Sequence, residues 1–254
     1  MNIFIANDDG IDSIGLKALA KELSDIGNVY ICAPDSERSA NSHHFTLKGK
    51  MKLEEKEIEG AMKAYALDGT PCDCVRVGLF CLYKDIHFDL MVSGINRGWN
   101  VSSDLIYSGT IGAAREAHMN GIPAIAMSLN TFDDFDYSLP AQIAKEVVQK
   151  YLKDPKNKEY FLNVNVPALA IEDIKGYRIC DRKGKIIYDE GYSLVEEDDM
   201  SYVQTGECIV TIDYGKEKER TDLDALDKGY VSIAPLYTDE IYHEQIEHFK
   251  TIYQ

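Results

Sequence analysis

Five short, almost uninterrupted apolar runs, at residues 3–6, 29–33, 88–92, 124–127 and 161–166, constrain this chain more than any other feature. A strand with one face in water alternates polar and apolar side chains. A run without alternation has both faces buried, as in a parallel sheet covered by helices. The stretches between the runs supply those helices. Ile14, Leu16, Leu19 and Leu23 fall at helical spacing behind Ser13, a suitable N-cap, and further helices are predicted over 72–83, from Ser108 to Ala114, and over 141–152. The alternation predicts an α/β fold, a mostly parallel sheet with helices on both faces, closing at about residue 167.

Two regions depart from this pattern. Residues 45–67 read as extended, hairpin-like segments around Phe45-Thr46-Leu47, Met51-Lys52-Leu53 and Ala64-Tyr65-Ala66-Leu67. Beyond Pro167, Tyr177-Arg178-Ile179-Cys180, Lys185-Ile186-Ile187-Tyr188 and the run at 207–212 are short strands in acidic surroundings, expected to form antiparallel excursions. A short capped helix is expected at 220–226 and a strand at 229–236. Tyr242, Ile246, Phe249 and Tyr253 then repeat at helical spacing and need a surface to bury against. The chain reads as one domain over 1–254, with a core at about 1–167 and a β-rich extension and C-terminal segment at about 168–254.

Open α/β sheets bind ligands in the crevice beyond the carboxyl ends of their strands. The first run ends there in Asn7-Asp8-Asp9-Gly10. Two adjacent carboxylates repel unless a cation lies between them, and an oxygen-only donor set suits Mg2+ or Mn2+. The same residues also make good turn and N-cap chemistry, so this stretch alone leaves both readings open. Ser108-Gly109-Thr110 is equally two-sided, either an anion cradle at a helix N-terminus or a hydroxyl cap on a helix packed through Gly112, Ala113 and Ala114. The polar loop at 36–44 carries several hydroxyls and the pair His43-His44, a pair that exposed loops commonly hold.

Charge and composition exclude some function classes. The formal net charge is −16, with 12 basic against 17 acidic residues up to residue 130 and 15 against 26 beyond it. That surface argues against nucleic-acid polymers as partners, because they are held by basic patches. The six cysteines lack paired CxxC spacing, which favours reduced thiols over disulfides or zinc. No run approaches the ~18 apolar residues of a membrane span, and the chain opens directly on a strand, so no membrane association and a cytoplasmic location are expected.

Four motifs taken together resemble the SurE family, the survival-protein-E nucleotidases: Asn7-Asp8-Asp9-Gly10, Ala33-Pro34-Asp35 with Arg38-Ser39, Ser93-Gly94-Ile95-Asn96-Arg97-Gly98, and Asp104 with Tyr107-Ser108-Gly109-Thr110. Asp68-Gly69-Thr70-Pro71 and the segment from Thr221-Asp222 to Gly229-Tyr230-Val231-Ser232-Ile233 extend the similarity over nearly the full length. The resemblance implies a Rossmann-like three-layer fold with a β-rich extension and a C-terminal segment exchanged between subunits of a homo-oligomer, a dimer or tetramer. It implies one divalent ion per subunit, Mg2+ or Mn2+, on Asp8, Asp9, Ser39 and Asn96. Asp8, Asp9 and Asn96 would be the catalytic residues, with Asn100, Asp104, Ser108, Gly109 and Thr110 toward the phosphate. The implied activity is hydrolysis of nucleoside 5′- and 3′-monophosphates, some members also acting on polyphosphate. The chain departs from the family pattern at Ala40 and at His43-His44-Phe45.

The chemistry is coherent without the family name. A phosphomonoester dianion repels nucleophiles, so catalysis is mainly positioning and charge neutralisation. A hard cation on the acid pair, with helix N–H groups on the phosphoryl oxygens, meets that need, and water is the expected nucleophile. Two rival readings remain. A phospho-receiver domain also carries an acid pair after its first strand, but its lysine is missing after Met127, where Ser128-Leu129-Asn130 follows. A nucleotide-binding sensor without turnover shares every binding feature.

Overall fold

The computed structural model describes residues 1–181, 184–197, 200–239 and 245–253. In chain order the strands are β1 (Asn2–Ala6), β2 (Asn28–Pro34), β3 (Leu53–Lys56), β4 (Ala61–Leu67), β5 (Leu90–Arg97), β6 (Ala124–Asn130), β7 (Phe161–Pro167), β8 (Tyr177–Ile179), β9 (Lys185–Glu197), β10 (Met200–Asp213) and β11 (Val231–Leu236). The helices are α1 (Ile14–Leu23), α2 (Pro71–Val77), α3 (Gly109–Met119), α4 (Ser138–Tyr151), α5 (Asp222–Asp227) and α6 (Ile246–Tyr253).

Nine strands form one sheet in the order β3-β4-β2-β1-β5-β6-β7-β11-β8. From β4 to β7 every pairing is parallel, as the apolar runs require. On one face, α1 and α4 cover Ile3, Ile5, Val92, Met127 and Val164. On the other, α2 and α3 cover Phe4, Ala6, Met91, Ala126 and Phe161. Adjacent residues of one strand thus enter opposite cores, which is why the runs show no polar alternation. From β1 the chain first moves outward to β2 and later returns on the other side as β5. That reversal opens a crevice between the ends of β1 and β5.

Helix ends follow local rules. Ser13 caps α1 by accepting from the Leu16 N–H, and Thr70 and Asp73 form a reciprocal capping box on α2 with Pro71 in its first turn. The predicted helix at 72–83 is α2 followed by a wider π-turn, Gly78–Leu82.

Three expectations need correction. Phe45-Thr46-Leu47 is not a strand: the Thr46 N–H and hydroxyl both donate to the Asp73 carboxylate, at 2.7 and 2.8 Å, and pin the segment to α2. Tyr177-Arg178-Ile179 is not an antiparallel excursion, since β8 pairs in parallel with β11 at the edge of the main sheet. β11 itself lies antiparallel beside β7, so the residues after 167 divide between that edge and an arm. The arm is the hairpin β9–β10, antiparallel as expected but far longer, paired from Lys185↔Asp213 to Glu197↔Met200. Its strands pair with no other strand among the described residues; at its base Ile186 bonds Ser103 and Tyr188 bonds Asp104, while Tyr192, Leu194, Val203 and Ile209 are exposed. Of the C-terminal stripe, Tyr242 lies outside the described residues, while Ile246 and Phe249 on α6 are exposed. Among the described residues, no helix is long and apolar enough to cross a membrane.

Candidate active site

β1 delivers Asp8 and Asp9 to the mouth of the crevice. Asn7, fully buried, braces the turn, its Nδ2 donating to the Gly10 carbonyl at 2.9 Å and to Ser13 Oγ at 2.8 Å. Asp8 is 4% exposed and points at the first turn of α3. The Thr110 N–H donates to its Oδ2 at 3.1 Å and the Thr110 hydroxyl to its Oδ1. Gly109 packs closely here, since a Cβ would lie 3.0 Å from Asp8 Oδ2 and Cβ and 3.1 Å from Pro71 Cγ. Burial raises the pKa of Asp8 against the lowering effect of those bonds. Asp9 accepts from the Arg97 N–H at 3.0 Å, and burial first, then the Asp8 charge, push its pKa up to about 7.

β5 brings Asn96 to the same place through a local irregularity. The β5–β6 register shifts between Ser93 and Asn96, a bulge-like step of the kind that re-aims side chains beside active sites. The Nδ2 of Asn96 donates to the Gly98 carbonyl at 2.9 Å, leaving its Oδ1 as the remaining amide acceptor. Ser39, on the loop after β2, is exposed and donates to Glu37 at 2.8 Å.

A cleft of about 560 Å³ is lined by Asp8, Ser39, Asn96, Asn100, Asp104 and Ser108, joined by aromatic side chains at 99, 107, 132 and 188. Asp9 instead borders an adjoining acidic cleft, with Ser39, Arg97 and Phe132 shared between the two. Asn100 is buried and tightly held. Its N–H donates to Asn165 Oδ1 at 2.7 Å, its carbonyl accepts from Asn163 and Asn165, and its Nδ2 donates to Ser128 Oγ at 2.8 Å. Asp104 Oδ2 accepts from the Tyr188 hydroxyl at 2.6 Å, and burial raises its pKa against the lowering effect of the Tyr188 and Trp99 side chains. Ser108 caps α3 by accepting from the Ile111 N–H, which leaves its hydroxyl proton available.

The donor set fits a hard cation. Two carboxylates whose pKa values are both raised by burial, and which also feel Glu37, are a repulsive arrangement that a divalent ion converts into an attractive one. Ser39 and Asn96 would add neutral oxygens. No group of three or more His, Cys, Asp or Glu side chains placed to hold a metal occurs among the described residues, so such a site would depend on those two neutral donors.

A family model described as Survival protein SurE matches residues 3–189. This chain belongs to the SurE family. It is 42% identical to a protein of Clostridium botulinum (strain Alaska E43) named 5′-nucleotidase SurE, over the whole of both chains. A protein of the same name from Campylobacter jejuni is 39% identical, covering 98% of this chain and 96% of its own. The crystal structure of the SurE protein from Aquifex aeolicus superposes with a TM-score of 0.82 at 31% identity, again over the whole of both chains. The mostly parallel sheet covered by helices and the additional antiparallel hairpin are thus a SurE fold.

Within this SurE chain, Thr110 is fully buried and turned to Asp8, to which its N–H and hydroxyl both donate. His43 also turns away: its Nε2 lies 2.8 Å from Glu116, which Arg76 bonds as well, and the His43 bond is the main cause of the low Glu116 pKa. Sequence reasoning missed Ser128, Asn163 and Asn165, the bed beneath Asn100. The signal was present, since two asparagines at i and i+2 on one face of an otherwise apolar strand demand partners.

Proposed function

We propose that this protein is a divalent-metal-dependent phosphomonoesterase that hydrolyses nucleoside monophosphates, the 5′ esters first and the 3′ esters and polyphosphate chain ends with them. The single observation that carries the reading is the meeting of Asp8, Asn96 and Ser108, the N-cap of α3, in one cleft, with Asp9 beside Asp8 at the border of the adjoining one. The names of the full-length relatives support the 5′-nucleotidase part.

In this reading Asp8, Asp9, Ser39 and Asn96 hold the ion, which when bound neutralises phosphoryl charge and acidifies water. The Ser108 hydroxyl and the Gly109 N–H, an amide that helix geometry leaves without an intrahelical partner, donate to phosphoryl oxygens. Asn100, immobilised by Ser128, Asn163 and Asn165, orients the ester. Asp104, held by the Tyr188 hydroxyl, lines the same cleft on the phosphate side. Water is the nucleophile, because both Asp8 oxygens already accept from Thr110 and one Asp9 oxygen from Arg97. The exposed apolar side chains of the arm and α6 support a homo-oligomer, and the six free cysteines support a reducing, cytoplasmic setting.

The deciding experiment is phosphate release from a panel of nucleoside 5′- and 3′-monophosphates and polyphosphate, with Mg2+, Mn2+ or chelator, for wild type and Asp9→Asn. Activity that survives chelation would sink the metal assignment. Phospho-aspartate trapped on Asp8 or Asp9 would sink the water nucleophile.

A further inference from the structure

We propose that Phe132 and Tyr107 form a nucleobase platform at the mouth of the cleft, taking the base of a nucleoside monophosphate by stacking rather than by hydrogen bonding. The inference rests on the nucleotide reading above and supplies its missing half, the recognition of the part of the substrate that does not react.

Four aromatic side chains line the cleft. Two are committed elsewhere: Tyr188 donates to Asp104, and Trp99 packs beside Val101 and Leu223. The other two face solvent, Phe132 at 65% and Tyr107 at 56% exposure. Among the described residues neither ring packs on another aromatic ring or under a cation. Large exposed rings with free faces, at the rim of a polar cleft, are what a planar ligand needs.

Both rings stand on anchored backbone. The Phe132 carbonyl accepts from Arg97 Nε at 2.9 Å, and its ring lies so close to Gly98 that a Cβ there would come within 2.4 Å of Cε1. The Tyr107 carbonyl accepts from the Ser42 N–H at 2.9 Å. Both also adjoin the phosphate side. Tyr107 immediately precedes Ser108, and the Phe132 ring rests on the residue two places after Asn96. Asn96, Ser108 and both rings line one cleft, so a phosphate held between Asn96 and Ser108 leaves its nucleoside in the cleft that the rings border. Phenylalanine offers no hydrogen bond, so the platform accepts every base.

The test compares wild type, Phe132→Ala and Phe132→Trp on AMP, UMP and the base-free ester ribose 5-phosphate, with calorimetric binding of adenosine alongside. Stacking of one base predicts that Phe132→Ala raises KM for AMP and UMP about tenfold with little change in kcat, while ribose 5-phosphate loses far less. Phe132→Trp should restore the nucleotide KM. Equal losses on nucleotides and ribose 5-phosphate, an unchanged KM, or failure of the Trp variant to rescue would each overturn the platform. If no ester is hydrolysed, the phosphatase reading fails alone, and adenosine binding by wild type but not by Phe132→Ala still upholds the platform. Adenosine bound equally by both would remove it.

Discussion

The end of β1 and the β9–β10 arm are held in opposite ways. Asp8 is almost wholly buried, both its oxygens are bonded by Thr110, and it sits between strands whose side chains fill two cores. Beyond its base, where Ile186 and Tyr188 bond Ser103 and Asp104, the arm pairs only with itself and carries Tyr192, Leu194, Val203 and Ile209 outward. At the crevice the fold forces like charges together. On the arm the sequence leaves apolar surface uncovered. The lesson is that neither region is optimised for the stability of the single chain, but the deficits differ in kind: one calls for an ion and the other for a surface.

The largest effect that would sharpen this contrast is at the acid pair. Asp9→Asn should lower phosphate release on the order of 10³-fold yet raise the melting temperature of metal-free protein at pH 8, because it removes a repulsive buried charge. A fall in both activity and melting temperature would break the comparison. Thr110→Val, which keeps the shape but loses the hydroxyl bond to Asp8, should cut kcat by about 10- to 100-fold and weaken metal binding in calorimetry.

Acidity gives a third probe. Asp9 titrates near 7 in the metal-free fold against a reference of 3.8, so between those values the native state holds a proton that the unfolded chain has released. Stability of the metal-free protein should therefore rise as pH falls through 7 toward 4, a trend that chemical denaturation reads directly and that Asp9→Asn should flatten. Metal affinity should run the other way, falling up to about tenfold per pH unit below 7 as the proton competes for the carboxylate. The smallest effect is expected on the arm. Leu194→Ser with Val203→Ser should change the unfolding free energy of the isolated subunit by under about 0.5 kcal/mol, while light scattering registers a smaller assembly. An unchanged assembly would show that the exposed face has no partner copy.

How far the sequence reaches follows the same division. The parallel sheet, and the placement of Asp8, Asp9 and Asn96 at the ends of β1 and β5, are legible because each depends on a local pattern, an apolar run and the polar residues that end it. The direction of β8 is not legible, because it is fixed by β11, more than fifty residues downstream in the chain. Phe45-Thr46-Leu47 misleads because Asp73, not a neighbouring strand, satisfies the Thr46 donors. The Thr110 contact is not legible either. A hydroxyl residue in a helix's first turn carries no sign in its motif of a bond to Asp8, 102 residues away in sequence.

That grip makes the Thr110 amide a reporter. Its proton rests on Asp8 Oδ2, so any change in the charge that carboxylate carries is felt at the amide nitrogen. Loading of the ion should therefore be visible as a chemical-shift change of one backbone resonance, in a protein that has not turned over a single substrate molecule.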